Sequence, residues 1–114
     1  MTTVVIDFGT SNTVVCVTDL VTQSPRTVKF DSISRRLDVA GDSVSVVPSL
    51  VFVSPNSLVC GEQVRSQRLG FVQPERCFKA FKRNLAADFV PPPRLLNGTS
   101  YTASVVCELF LTEI

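Results

Sequence analysis

The chain has no histidine, no tryptophan, one methionine and one tyrosine among its 114 residues. Without histidine, a Ser-His-Asp triad, a histidine-activated cysteine and every zinc site that needs imidazole are excluded. An excess of either charge is missing too: 11 Lys+Arg stand against 10 Asp+Glu, a formal net charge of +1. So even a balance argues against a basic surface built for nucleic acid and against an acidic tail. Mean hydropathy is high at +0.29, yet no apolar run approaches the ~20 residues of a membrane-spanning helix. No basic n-region precedes the strand-like start Met1-Thr2-Thr3-Val4, so no signal peptide is read there. Repeats and low-complexity tracts are absent apart from Pro91-Pro92-Pro93. A chain of this length fits one small domain or part of a larger one.

What is present begins with four cysteines, Cys16, Cys60, Cys77 and Cys107, widely spaced, with no C-x-x-C. Each lies among apolar neighbours, as in Val14-Val15-Cys16-Val17, which suits buried free thiols rather than a disulfide framework. Free thiols and no signal peptide place the protein in a reducing cytoplasm. In that compartment Asn97-Gly98-Thr99 is a turn and not a glycosylation site.

The first half of the chain has the period of a sheet. Val4-Val5-Ile6, residues 13–18 and residues 26–30 predict a β-meander, its first two strands so apolar that other elements must cover them. Residues 32–45 are polar and contain Gly41, which predicts a loop. Residues 49–54 form a further strand between Pro48 and Pro55-Asn56. The period then lengthens. Residues 62–69 suit a short helix ended at Gly70, and Cys77, Phe78, Phe81 and Leu85 suggest a second amphipathic helix starting near Pro74. Asn97-Gly98 predicts a tight hairpin. Val105, Val106, Leu109, Phe110 and Ile114 form a helical stripe with Thr102 or Ser104 as N-cap. That stripe stops in mid-pattern, so the expectation is a chain truncated at its C-terminus, with an exposed apolar helix through which it self-associates.

The segment Asp7-Phe8-Gly9-Thr10-Ser11-Asn12-Thr13 falls in the turn between the first two strands. Gly9 lets the backbone reach positive φ and approach a ligand closely. Backbone amides of such a turn can converge on one anion, and Thr10, Ser11 and Asn12 add side-chain donors. Asp7 would repel a bare phosphate and fits best with Mg²⁺ and its water shell between them. The plain alternative is a hairpin in which Asp7 and Asn12 make Asx-type bonds. For Lys82 it is a solvated face, because Arg65, Arg68, Arg76, Lys79 and Arg83 lie close in sequence.

Ile6-Asp7-Phe8-Gly9-Thr10-Ser11-Asn12-Thr13 resembles the first phosphate motif of the actin-like ATPase superfamily, which holds actins, bacterial filament proteins, sugar kinases and the seventy-kilodalton heat-shock chaperones. Later segments resemble the chaperones in particular and in the same order. These are Val47-Pro48-Ser49-Leu50-Val51-Phe52, Val59-Cys60-Gly61-Glu62-Gln63-Val64, the stretch from Gln73-Pro74-Glu75 to Phe78-Lys79-Ala80-Phe81-Lys82-Arg83, and Tyr101-Thr102-Ala103-Ser104-Val105-Val106.

The resemblance implies an α/β fold, the N-terminal fragment of an actin-like (ribonuclease-H-like) ATPase domain. Residues 1–31 would supply first-lobe strands and residues 46–114 a small α/β subdomain with helices. It implies that Gly9, Thr10, Ser11 and Asn12 bind the phosphates of ATP or ADP, and that Asp7 holds Mg²⁺ through water. Lys82 and Thr10 would be the catalytic residues, with Lys82 at the γ-phosphate. In the intact protein, ATP hydrolysis would be coupled to binding of unfolded polypeptide, with cochaperones as further partners. The chain departs from the family at Asn84-Leu85-Ala86-Ala87-Asp88, where a Gly and basic residues usually follow the Lys-Arg pair, and in the long segment 31–47 with Arg35-Arg36. Neither a D-x-G-G-G-T segment nor the later glycine pair of the adenosine pocket occurs, so this chain alone is expected not to hydrolyse ATP. An actin-like filament protein, a sugar kinase and a non-catalytic interaction module are the alternative readings.

Overall fold

The computed structural model describes residues 2–114, which form a mixed α/β structure on antiparallel sheets. The first sheet starts with β1 (Thr2–Phe8), β2 (Asn12–Asp19) and β3 (Pro25–Thr27), an antiparallel meander as their β-branched runs predict. β4 (Arg35–Val39) and β5 (Asp42–Pro48) extend it, β5 pairing with the start of β2 through Asn12↔Pro48 and Thr13↔Val47. β2 therefore shares one side between β5 and β3, while β1 takes the whole of the other.

The hairpin of β4 and β5 overturns the expected loop over residues 32–45. Its turn is Ala40-Gly41, with φ of +51° and +86°, the twist of a two-residue hairpin. Alanine in the left-handed region is an unusual first turn residue, so the sequence carries only half the usual signal.

At Ser49 the chain leaves the first sheet and enters a second, where β6 (Leu50–Val53) lies between β7 (Leu58–Cys60) and β8 (Cys77–Lys79). β6 is buried on both faces. Val51 and Val53 join the main core with Val47, Cys60, Phe78, Phe81, Val106 and Phe110, while Phe52 faces Val64 and Cys77 on the other side. Strand alternation thus feeds two clusters from four residues.

The region after Gly61 differs from the two expected helices. α1 (Glu62–Ser66) ends early, Arg68 turns at φ +53°, and α2 (Leu69–Val72) follows. Gly70 lies inside α2, where a β-carbon would sit 3.0 Å from Cys77 Sγ, so it marks close packing and not a stop. Residues 77–79 form a strand because Cys77 and Phe78 bury opposite faces, paired with Phe52 and Val51. Ala80 then takes φ +52° and opens a 3₁₀ turn over Phe81–Leu85. Adjacent apolar residues at 77 and 78 fit a two-faced strand better than one helical stripe.

β9 (Arg94–Leu96) and β10 (Thr99–Tyr101) form the expected Asn97-Gly98 hairpin, with φ of +53° and +78°. α3 (Ala103–Glu113) is capped as expected: the Thr102 side chain accepts from the Val105 amide. Its stripe, however, is covered. Phe110 and Val106 are wholly buried and Val105 and Leu109 half-buried, so the expected self-association through an exposed apolar helix loses its basis. Apolar exposure lies elsewhere, chiefly along β1, where Val4, Val5 and Ile6 are each more than half exposed and no described element covers either face. Among the described residues, no helix is long and apolar enough to cross a membrane.

Phe110→Ala should lower unfolding free energy by about 3–5 kcal/mol in urea titrations. Burial, with the Glu113 carboxylate adding to it, pushes the Cys60 thiol up to about 12. A folded value above the unfolded one means stability is full below about pH 9 and lost as pH rises towards 12. Cys60→Ala should flatten that decline relative to the parent chain in denaturation curves across the same range.

Candidate phosphate-binding turn

The turn between β1 and β2 stands at the place where both sheets meet. Asp7 is exposed at the end of β1, Gly9 and Thr10 are half-exposed, Ser11 is exposed, and Asn12 begins β2. Gly9 does not take positive φ; the glycines that do are Gly41, Gly61 and Gly98. Glycine is required there for another reason: a β-carbon would come within 2.2 Å of the Asn12 carbonyl oxygen. The turn closes on itself too tightly for any side chain at that position.

Ser49 fastens this turn to the rest of the molecule. Its amide donates to the Ser11 carbonyl at 2.9 Å, and its hydroxyl donates to the Gly9 carbonyl at 2.9 Å. With that proton committed, the Ser49 oxygen accepts from the Thr13 hydroxyl at 3.0 Å. Among the described residues, Thr13 and Ser49 are the buried polar side chains, 0% and 2% exposed, and each has its partner. The sequence marked Ser49 as the start of a strand and as part of a resembling segment, with no role at the turn. The Pro48-Ser49 step between two apolar runs was the available signal, since proline removes one donor and the next residue must serve both sheets. The bonds that hold the turn use its carbonyls, which leaves the side chains of Thr10, Ser11 and Asn12 outside them.

Lys82 comes to the same end of the sheet from 74 residues away. Its Nζ donates to the Phe8 carbonyl at 2.5 Å and lies 5.6 Å from the Phe8 ring centroid. The Phe8 ring stacks on Phe110 at 6.0 Å and tilts against Phe81 at 6.3 Å, while Phe81 meets Phe110 edge-on at 5.5 Å. Phe81 is 3% exposed, so its burial draws the neighbouring Lys82 to the turn. Lys82 thus reaches Phe8, the last residue of β1, between Asp7 and Gly9 in the chain. Two other cations are engaged elsewhere: Arg76 donates to the Val53 carbonyl at 2.9 Å, and Arg94 to that of Cys77 at 2.6 Å.

The donor set limits what metal could bind. Among the described residues, no group of three Cys, Asp or Glu side chains could hold a metal ion. Asp7 stands alone, exposed and in no ion pair, which does not fit a cage of protein ligands. A single carboxylate fits Mg²⁺ that keeps its water and shares its charge with phosphates. No protein-family model matches the chain, and no curated protein matches it.

Ser49→Ala leaves the Gly9 carbonyl and the Thr13 hydroxyl without their partner, and should cost about 1–3 kcal/mol in urea unfolding. Gly9→Ala should cost at least as much, because the obstructing atom belongs to the backbone.

Proposed function

We propose that the chain is the N-terminal part of the nucleotide-binding domain of an actin-like ATPase of the seventy-kilodalton heat-shock chaperone type. The observation that carries this reading is the bond from Lys82 Nζ to the Phe8 carbonyl, beside Asp7 and Gly9. The resemblance requires that residue at that turn, and a solvated helix face would not bring it there. The exposed apolar strand β1 supports the same reading, as the edge at which a larger ATPase sheet would continue. Four free cysteines, three of them buried, suit a cytoplasmic protein.

In this reading, Thr10, Ser11 and Asn12 donate to phosphate oxygens with side chains that the fold leaves uncommitted. Asp7 orients the water shell of Mg²⁺, which when bound neutralises phosphate charge. The ammonium of Lys82 is already fixed by the Phe8 carbonyl, so it offers preorganised positive charge to the transferring phosphoryl group. Thr10 is a further phosphate contact. In the intact protein the resulting hydrolysis drives binding and release of unfolded polypeptide with the help of cochaperones. One turn and one lysine supply few contacts, so this chain binds MgATP with a Kd of about millimolar and does not turn it over.

Calorimetric titration of the 114-residue chain with MgATP should show weak saturable binding. Lys82→Ala should weaken it roughly tenfold, the effect of losing one charge-assisted hydrogen bond. Asp7→Asn should remove the dependence on Mg²⁺. No saturable heat, or binding indifferent to both substitutions, would leave a non-catalytic interaction module as the better description.

A further inference from the structure

Beyond Thr10, Ser11 and Asn12 the surface falls into a groove of about 340 Å³ that neither Asp7, Gly9 nor Lys82 lines. Three cations from three separate elements stand around it: Arg35 at the start of β4, Arg65 in α1 and Lys79 at the end of β8. The carboxylate among them is Glu62, and it is committed. It receives Arg65 Nε at 2.7 Å and Nη2 at 2.5 Å, which leaves Nη1 of the guanidinium unused. That hydrogen bond, and the charges of Arg65 and Arg35, hold Glu62 below the usual carboxylate range. Among the described residues, Arg35 and Lys79 enter no ion pair. Three positive groups facing one bound carboxylate leave two positive charges uncompensated.

A second groove of about 400 Å³ shares Leu50, Arg65 and Lys79 with the first, so the two adjoin along those residues. Its character differs: Val64, Phe71, Pro74 and Cys77 give it apolar walls between Arg68 and Arg94, the latter donating to the Glu75 and Cys77 carbonyls, and Phe71 is 87% exposed. Together they offer a cationic end, hydroxyl and amide donors from the turn, and an apolar continuation of small-molecule size.

We propose that these adjoining grooves bind an organic phosphomonoester, its phosphate between Arg35, Arg65 and Lys79 and its apolar body over Leu50 and Phe71. A phosphomonoester dianion matches the two uncompensated charges of the first groove, and its three terminal oxygens can accept from both the cations there and the turn side chains. An uncharged apolar molecule would leave the cations unanswered, and a bare phosphate would leave the apolar walls wet. The site shares Thr10, Ser11 and Asn12 with the proposed nucleotide site but is argued from its own cations, and Lys82 and Asp7 take no part in it.

The test is titration of the 114-residue chain with phenyl phosphate in Mg²⁺-free buffer, with inorganic phosphate and phenol as comparisons. Phenyl phosphate should bind with one-to-one saturation, about tenfold tighter than inorganic phosphate, as burying a phenyl ring requires. Arg35→Ala and Lys79→Ala should each weaken it roughly tenfold, while Arg35→Lys and Lys79→Arg largely retain it. Phe71→Ser should weaken phenyl phosphate and leave inorganic phosphate unchanged. Lys82→Ala and Asp7→Asn should leave phenyl phosphate binding intact. Circular dichroism of each variant confirms folding, and the charge-retaining pair keeps the test valid if an alanine variant unfolds. Absence of saturable binding, indifference to both cation deletions, or loss of binding in Lys82→Ala would overturn the proposal. Failure of MgATP binding alone would leave it standing.

Discussion

The hydroxyl of Ser49 is the constraint on which the arrangement of this protein depends. Here one strand leaves the first sheet and another begins the second, and the residue between them must satisfy groups from both. Pro48 has no amide hydrogen to offer, so the Ser49 amide and hydroxyl together serve the Ser11 and Gly9 carbonyls. The Thr13 hydroxyl completes the set in a place where water does not reach. Such a network is stabilising only when every member is paired, and here every member is. The same bonds that join the two sheets fix the turn after β1 and leave its side chains free for a ligand.

A second device acts from the opposite side. Phe8, Phe81 and Phe110 come from a strand end, a 3₁₀ turn and the last helix, and they meet in one aromatic cluster. Packing of this kind is non-directional in origin, yet it places a charged group with precision because Lys82 follows Phe81 directly. The cationic groove lies beyond Thr10, Ser11 and Asn12, on elements that contribute nothing to the aromatic cluster. The turn is therefore flanked by positive charge in two ways, one held by an aromatic ring and a carbonyl, the other exposed in a groove.

How much of this could be read in the residues depended on whether each signal was local. The first strands, the Asn97-Gly98 hairpin and the Thr102 cap were legible, because β-branched runs, a type I′ turn pair and an N-cap hydroxyl act within a few residues. The hairpin through Ala40-Gly41 was not, since alanine carries no preference for positive φ and only the surrounding sheet holds it there. Residues 77–79 looked helical because Cys77, Phe78, Phe81 and Leu85 fit a loose stripe. Pairing with β6 outweighed that pattern by burying Cys77 and Phe78 on opposite faces. Of the candidate site, the turn itself was visible as a motif, and its glycine was needed for a close backbone contact and not for its φ.

By itself the sequence determined the chemistry available: no imidazole, one short turn rich in small donors, and a set of apolar runs that had to form sheets. Those properties belong to residue types and their spacing, and no folding can change them. Only the tertiary structure decided which cation reaches the turn, that Ser49 locks it, and that Arg35, Arg65 and Lys79 share a groove. These are meetings of residues far apart along the chain, governed by strand pairing and core packing. A one-residue difference in strand register would send Arg35 or Lys79 to the other face of its sheet.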